Sequence, residues 1–183
     1  EYTRGALAAE MPPTFHPEAL KAQAVAAHTY ALHQKQVREG EGYDLTADPE
    51  NWKSYTTQEI FFERYGQAAP AYWQAICDAA DAVAPYLLAY EGEPIVAAYC
   101  SMSAGQTEDA GNVWEGGAPY LVPVESPGDT RAPDYETTAC FSAEEMRQLL
   151  LAAWPQAQLE GDPSGWIVVG ERSESGYVTQ VEV

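Results

Sequence analysis

Glu10 is the residue of this sequence whose surroundings best fit acid–base chemistry. It lies in the segment LAAEMPP, among apolar residues, and Arg4 is the nearest cationic residue along the chain. The pattern predicts that Glu10 ends a short helix, where the negative end of the helix dipole disfavours a second negative charge. Burial among apolar neighbours also favours the protonated acid. Such a carboxyl group can act as a general acid, although a solvated glutamate at a helix end fits the same local sequence.

Two helices are predicted around this residue. The first covers residues 2 to 11 and is stopped by Pro12 and Pro13. The second begins at Pro17 and is an unbroken run of helix-forming residues to about Arg38. The residues that recur along it at helical spacing are Leu20, Ala24, Ala27 and Ala31. This nearly smooth face should pack closely against another element.

Further along, the predicted structure changes from helix to strand. Residues 43 to 57 form a polar loop, and residues 58 to 81 form a helical stretch interrupted by a glycine and a proline. Residues 86 to 90 and 94 to 101 are predicted to pair as a hairpin whose side chains alternate between two faces. The long loop that follows is rich in glycine and small polar residues, as functional loops often are.

The last part of the chain completes an α+β pattern. Ser142 lies three residues before Glu145, a capping-box signature that opens a short helix over residues 142 to 153. Residues 166 to 171 and 177 to 183 are predicted to form a terminal hairpin. Because the helices come first and the strands later, we expect an α+β fold, with the N-terminal helices and a long alanine-rich helix packed on antiparallel strands.

Composition excludes several classes of function. The chain has 183 residues, and 9 Lys and Arg against 28 Asp and Glu give a formal net charge of −19. Nucleic acids and anionic membrane surfaces should repel such a chain. Its apolar stretches are well below the roughly 20 residues that a membrane helix needs. Cys77, Cys100 and Cys140 form no CxxC pair, which argues against a cysteine-framed zinc site or a redox motif and leaves room for at most one disulfide.

Two long segments resemble the motifs of a known family. AAEMPPTFHPEALKAQAVAAHTYAL, and PIVAAYCSMSAGQTED followed by VWEGGAPYLVPVESPGD, resemble the signatures of the stage II sporulation protein D and amidase-enhancer (SpoIID/LytB) family. The match covers about residues 1 to 130, and residues 131 to 183 fit more loosely. The resemblance implies a single catalytic domain over residues 1–183, truncated at both ends relative to the full chain.

The activity implied by this resemblance is that of a peptidoglycan lytic transglycosylase. Such enzymes cleave the bond between MurNAc and GlcNAc and leave 1,6-anhydro-MurNAc, here during sporulation and engulfment on strands stripped of their peptides. Glu10, the glutamate of the EMP motif, would be the catalytic acid. One carboxylate suffices because the MurNAc C6 hydroxyl attacks its own anomeric carbon, whereas most glycosidases need two. The alternative is a noncatalytic cell-wall-binding or amidase-stimulating module, but the intact Glu10 favours the enzyme.

We also predict a substrate groove between the second helix and the strand that ends at Ser101, with Glu10 at its centre. The residues expected to bind substrate are Lys21, Gln23, His28, Tyr30, Tyr99, Ser101, Ser103, Gln106, Thr107, Glu108 and Trp114. Their hydroxyl, amide and carboxylate groups suit sugar hydroxyls and acetamides, and the indole offers an apolar plate for a sugar ring. A structural packing role fits His28 and Tyr30 equally. The chain departs from the family pattern at His28, Cys100 and Ala104, where arginine, histidine and glycine are usual.

No cofactor or metal is expected. Some relatives bind zinc through one His and two Cys in the loop after the main helix. The same loop here has neither residue type, and Asp44, Asp48 and Glu50 are a poor zinc set. The implied partners are peptidoglycan glycan strands, a cell-wall amidase and a membrane scaffold protein of the engulfment machinery, with no nucleic acid. The expected location is extracytoplasmic, anchored to the outer face of the cell membrane through a segment missing from this chain.

Overall fold

The structure, a computed structural model, describes residues 1–45 and 55–183. It confirms the α+β class, with five α-helices and four short strands in the described ranges. The chain divides into two compact units, Glu1–Tyr99 and Cys100–Val183. The single catalytic domain over residues 1–183 stays a prediction. In the described part of the chain, no helix is both long enough and apolar enough to cross a membrane.

Four helices build the first unit. They are α1 (Tyr2–Glu10), α2 (Pro17–Val37), α3 (Gln58–Tyr65) and α4 (Ala69–Ala82). Helix α2 begins at Pro17 as predicted, because a proline in the first turn needs no N–H, and the Nδ1 atom of His16 accepts a hydrogen bond from the Glu18 N–H at 3.2 Å. The predicted interruption before α4 is a 3-10 turn, Gly66–Ala68, which begins at a glycine with φ +52°. The predicted loop over residues 43 to 57 falls partly on residues 46–54, which lie outside the described residues.

One apolar core joins these helices. The largest fully buried apolar side chains are Phe61, Leu7, Leu20 and Ile76, which come from all four helices. The predicted close-packing face of α2 is confirmed, since Leu20, Ala24 and Ala27 are at most 6% exposed. Small side chains at these positions let α1 and α4 approach α2 closely.

A short hairpin follows α4. Strands β1 (Ala89–Tyr90) and β2 (Glu93–Pro94) pair antiparallel around Glu91 and Gly92, whose φ angles are +52° and +88°. The prediction that the second strand continues to residue 101 was wrong. Pro94 has no N–H to donate to the ladder, and soon afterwards the chain turns back on itself through a bond from the Ala98 N–H to the Val96 carbonyl at 2.9 Å.

The hairpin is attached to α2 through Thr29. The hydroxyl of this fully buried residue donates to the Val25 carbonyl at 2.7 Å and accepts from the Leu88 N–H at 2.9 Å. At the far end of the hairpin, the Gln36 side-chain amide donates to Glu93 at 3.0 Å. The expected packing of the long helix on antiparallel strands is therefore present, although the strands are short.

The second unit has one α-helix in its described structure and a terminal hairpin. Helix α5 (Ala143–Ala153) carries the predicted capping box, in which Ser142 and Glu145 bond reciprocally. Its Leu150 packs with Leu159 and Trp166 in a small apolar cluster. Strands β3 (Val168–Arg172) and β4 (Val178–Glu182) pair antiparallel, which confirms the predicted hairpin.

Candidate active site

Glu10 is the last residue of α1 and is half-buried. The next residue, Met11, leaves the helix with an extended backbone (φ −124°, ψ 136°), and its N–H closes the helix on the Leu7 carbonyl at 3.0 Å. The Met11 side chain packs against the apolar core, and Pro13 is buried. The backbone of Glu10 is thus held on both sides by buried neighbours.

The carboxylate of Glu10 has no internal partner in the described structure. Within residues 1–45 and 55–183 it accepts no hydrogen bond and joins no ion pair. Arg4 pairs instead with Asp81 of α4, with its Nη2 atom 2.7 and 2.8 Å from the two carboxylate oxygens. The carboxylate oxygens of Glu10 are therefore available to a bound molecule.

Tyr2 is the aromatic residue that the structure relates to this carboxylate. The pKa of Tyr2 is raised well above its usual range, first by burial, and then by the phenols of Tyr30 and Tyr99 and the carboxyl group of Glu10. Tyr2 therefore keeps its proton over the whole working range of pH. The sequence pointed to Tyr30 and Tyr99 but missed Tyr2, which lies two helical turns before Glu10 and stacks on Tyr55 with 6.0 Å between ring centroids.

The four candidate residues of α2 divide between two faces of the helix. Gln23 and Tyr30 are seven residues apart and share one face, and so do Lys21 and His28. The two faces are about 200° apart around the helix axis. The side-chain nitrogen of Gln23 is buried and has no hydrogen-bond partner in the described structure, whereas Lys21 pairs with Glu18 at 2.8 Å. Tyr30, on the face of Gln23, is one of the groups that raise the pKa of Tyr2.

His28 lies in a different environment from Tyr30. Its Nδ1 atom is 3.3 Å from the Tyr86 carbonyl oxygen. It also lines a cavity together with Arg4 and Asp81. A contact of His28 with substrate stays a prediction, and the structure associates it with this cavity.

Several candidate residues of the second motif make bonds within the second unit. Ser103 is 8% exposed, and its N–H and hydroxyl both donate to Asp129, at 2.6 and 2.7 Å. The two bonds hold the pKa of Asp129 below its usual range. The hydroxyl of Thr107 accepts from the Val124 N–H at 2.8 Å. These hydroxyls hold the loop in shape.

Glu108 is also held by hydrogen bonds within the second unit. It accepts hydrogen bonds from the Ser173 hydroxyl, from the Asn112 amide at 3.0 Å and from the Asp109 N–H at 2.7 Å. These donors, Ser173 first, hold the pKa of Glu108 below its usual range.

The other second-motif residues differ in their surroundings. The carbonyl oxygen of Gln106 accepts from the Tyr177 hydroxyl at 2.7 Å. Ser101 and Trp114 are exposed, the latter by 52%. Since Ser101 belongs to the second unit and Glu10 to the first, the predicted groove that would contain both stays a prediction.

Metal-binding clusters are absent from the described ranges. Residues 1–45 and 55–183 contain no group of three His, Cys, Asp or Glu that could hold a metal ion. Asp44 is exposed, while Asp48 and Glu50 lie outside the described residues. The zinc-free loop therefore stays a prediction. The three cysteines are free thiols.

Comparison with known proteins identifies the chain's relatives. The family model described as "Stage II sporulation protein" matches residues 1–90, which include Glu10 and helices α1 to α4. Stage II sporulation protein D of Bacillus subtilis (strain 168) is 34% identical over 184 residues, which cover 99% of this chain and 52% of that protein. The protein of the same name from Bacillus amyloliquefaciens is 35% identical over 156 residues, 82% of this chain and 44% of that protein. Amidase enhancer of Bacillus subtilis (strain 168) is 32% identical over 144 residues, 78% of this chain and 17% of that protein.

The fold and the site define an α+β protein whose helical unit presents, at a helix end, a half-buried glutamate with no hydrogen-bond partner in the described structure. Together with the matches, this places the chain in a single family. The chain belongs to the stage II sporulation protein D and amidase-enhancer family. It spans about half the length of the stage II sporulation proteins D that it matches, and less of the amidase enhancer.

Proposed function

We propose that this chain is a lytic transglycosylase that cleaves peptidoglycan glycan strands between MurNAc and GlcNAc, with Glu10 as its acid and base. The observation that carries the proposal is the half-buried Glu10 carboxylate, which has no internal partner in the described structure. A glutamate with a purely structural role would be expected to bond to a neighbouring donor, as Glu108 and Glu145 do.

The reaction requires one group that gives a proton and then accepts another. Protonated Glu10 donates to the glycosidic oxygen as the bond from the MurNAc anomeric carbon breaks. The MurNAc C6 hydroxyl then bonds to that carbon, and its proton passes to Glu10, which is restored to its starting form. Water does not enter, and the products are a 1,6-anhydro-MurNAc end and a GlcNAc end with a free hydroxyl.

Charge favours a glycan strand over a phosphate-rich wall polymer. The chain carries a formal charge of −19. A stripped glycan strand carries only its lactyl carboxylates, so it meets less repulsion than a phosphate-rich wall polymer would. On this proposal the protein works on the outer face of the cell membrane during engulfment, anchored through a segment outside this chain. Its partners are a cell-wall amidase, which strips the strands, and a membrane scaffold protein.

The direct test replaces Glu10 with glutamine. The amide is nearly isosteric but cannot transfer a proton, so Glu10→Gln should lower the release of 1,6-anhydro-MurNAc products by at least about 100-fold. Glu10 has no hydrogen bond to lose within the described structure. The free energy of unfolding of the Glu10→Gln variant should therefore stay within about 0.5 kcal/mol of the wild-type value. The assay is mass spectrometry of the products released from peptide-free glycan strands.

Glu63→Gln is the matched control, because Glu63 is an exposed helical glutamate of the same unit. It should retain full activity. Normal turnover by a folded Glu10→Gln variant would refute the assignment of Glu10. Products with reducing MurNAc ends instead of anhydro ends would indicate hydrolysis and refute the lytic reaction.

A noncatalytic, amidase-stimulating module is the second candidate. The similarity to a protein named amidase enhancer favours it, and so do the internal bonds of Ser103, Thr107 and Glu108, which leave these side chains less free to bind sugar. The two candidates differ in what Glu10→Gln does to a purified cell-wall amidase assayed in its presence. A stimulating module keeps its effect in this variant and makes no anhydro product even as wild type.

A further inference from the structure

A second candidate binding site lies in the first unit. A cavity of about 540 Å³ is lined by residues from the N-terminal half of α1, from α2, from the segment that leads into α3 and from α4. Glu10 is not among the described residues that line it. The volume is in the range of pockets that hold small ligands.

The cavity is lined by one buried polar side chain that has no hydrogen-bond partner in the described structure, that of Thr56. Thr56 is 4% exposed, and its hydroxyl is buried without a hydrogen-bond partner in the described structure. Buried hydroxyls are nearly always paired, because an unpaired one is destabilising. The backbone N–H of Thr56 donates to the Gly5 carbonyl at 3.1 Å, so the residue is held in place while its side chain stays unsatisfied.

Close packing builds this wall of the cavity. A Cβ atom at Gly5 would lie 2.3 Å from the Tyr55 ring and 2.9 Å from the Thr56 carbonyl oxygen. Only glycine at this position lets the segment that contains Tyr55 and Thr56 lie against α1.

Two further groups offer hydrogen bonds. Arg4 uses only its Nη2 atom to bind Asp81, so its Nε and Nη1 atoms have no partner in the described structure. The Nδ1 atom of His28 bonds to the Tyr86 carbonyl oxygen, which can only accept, so Nδ1 carries the hydrogen. In the neutral ring, Nε2 is then an acceptor. The cavity thus combines guanidinium donors, an imidazole acceptor and a hydroxyl that can do both.

The charges around the cavity select the class of ligand. Asp81 neutralises Arg4, and Glu1 and Glu59 add further negative charge to the lining. An anion is therefore disfavoured, while the apolar sides formed by Ala24, Trp73 and Val83 suit a methyl group or the face of a sugar ring. Mixed donors and acceptors with apolar sides fit a neutral sugar that carries an acetamide group.

We propose that this cavity binds a GlcNAc unit of the glycan strand and disfavours MurNAc, whose lactyl group carries a negative charge. The proposal rests on the proposed glycan substrate, but it does not require Glu10 or the lytic reaction.

The test uses N,N′-diacetylchitobiose as the probe and compares two buried threonines of the first unit. Thr56→Val is nearly isosteric and removes the unpaired hydroxyl, so it should weaken chitobiose binding about three- to tenfold and leave the melting temperature unchanged or raised. Thr29→Val is the matched control, because Thr29 is not among the described residues that line the cavity and its hydroxyl is already bonded to the Val25 carbonyl and the Leu88 N–H. It should lower the melting temperature and keep the affinity. In NMR titrations of the wild type, the Gly5 and Thr56 amide signals should shift.

Unchanged affinity in Thr56→Val, no shift of these two amides at saturating probe, or MurNAc binding as tight as GlcNAc binding would each overturn the proposal. Glu63→Gln, at an exposed helical glutamate that is not among the described lining residues, should bind chitobiose normally. If the wild type makes no anhydro product but binds chitobiose through Thr56, the cavity proposal stands and the lytic function fails. If anhydro products form without such binding, the cavity proposal fails alone.

Discussion

Replacement of Thr29 by valine tests how the hairpin is attached to the helical core. The Thr29 side chain is 0% exposed, and its hydroxyl joins the Val25 carbonyl of α2 to the Leu88 N–H beside β1. Valine fills the same volume, so the substitution opens no cavity. What it removes is the only side-chain acceptor that the described structure gives to the Leu88 N–H.

The size of the effect follows from what each partner can do without the hydroxyl. A fully buried N–H left without a partner costs about 1–3 kcal/mol. Leu88 is 43% exposed, so water can partly replace the lost acceptor, and the expected cost is about 1–2 kcal/mol. The Val25 carbonyl loses less, since it lies inside a helix and can keep its backbone bond. For a unit of this size, each kcal/mol lowers the melting temperature by about 4–8 °C.

The assay combines thermal unfolding with hydrogen exchange at the Leu88 amide. Thr29→Val should unfold earlier and exchange faster at Leu88. Thr29→Ser is the control: it loses a buried methyl group, worth about 1 kcal/mol, but keeps the hydroxyl. It should therefore be destabilised while Leu88 stays protected. Equal protection of Leu88 in the two variants would refute the role of the hydroxyl.

Two predictions concern the second unit. Ser142→Ala should lower the free energy of unfolding of this unit by about 1 kcal/mol, because α5 loses its N-terminal cap. Urea titration measures this change, and an unchanged unfolding midpoint would count against the role of the cap. The pKa values of Asp129 and Glu108 are lowered in the folded state, so the stability they contribute is complete above the ordinary carboxyl range and is lost as the pH falls through and below it. Ser173→Ala removes the hydrogen bond that lowers the pKa of Glu108 most. Its melting temperature should therefore fall less steeply than that of the wild type between pH 7 and pH 3, and an identical pH profile of the two proteins would contradict this.

Local signals predicted the helices well. The start of α2 at Pro17 and the capping box of Ser142 depend on residues within four positions of each other, so the sequence contains the whole interaction. The prediction of the second strand of the first hairpin was wrong because a strand depends on a partner that is distant in sequence. Alternation along residues 94 to 101 suggested a strand, but a strand exists only while a partner continues, and the chain turns away after Pro94.

The candidate sugar-binding residues were predicted from their chemical type. Residue type does not indicate whether a polar group is already hydrogen-bonded within the protein. Ser103 is bonded to a residue 26 positions away, and Glu108 to one 65 positions away. Such pairs depend on how distant segments fold together, which one sequence does not indicate. The same holds for the division of α2 into two faces: the helical period predicts it, but which face meets Glu10 depends on the packing of α1 and the hairpin.

The partner of Arg4 determines the chemical character of the candidate active site. Along the sequence, Arg4 is the cation nearest to Glu10, and an ion pair between them would have held the glutamate in its charged form and made it a poor proton donor. In the structure, Asp81 binds Arg4 with two hydrogen bonds from a position 77 residues away. This pairing leaves the Glu10 carboxylate without an ion pair in the described structure and sets a charge-balanced pair beside the cavity. On the two proposals above, one long-range ion pair thus acts twice: it leaves the proposed catalytic glutamate unpaired, and it balances the charge beside the proposed sugar site.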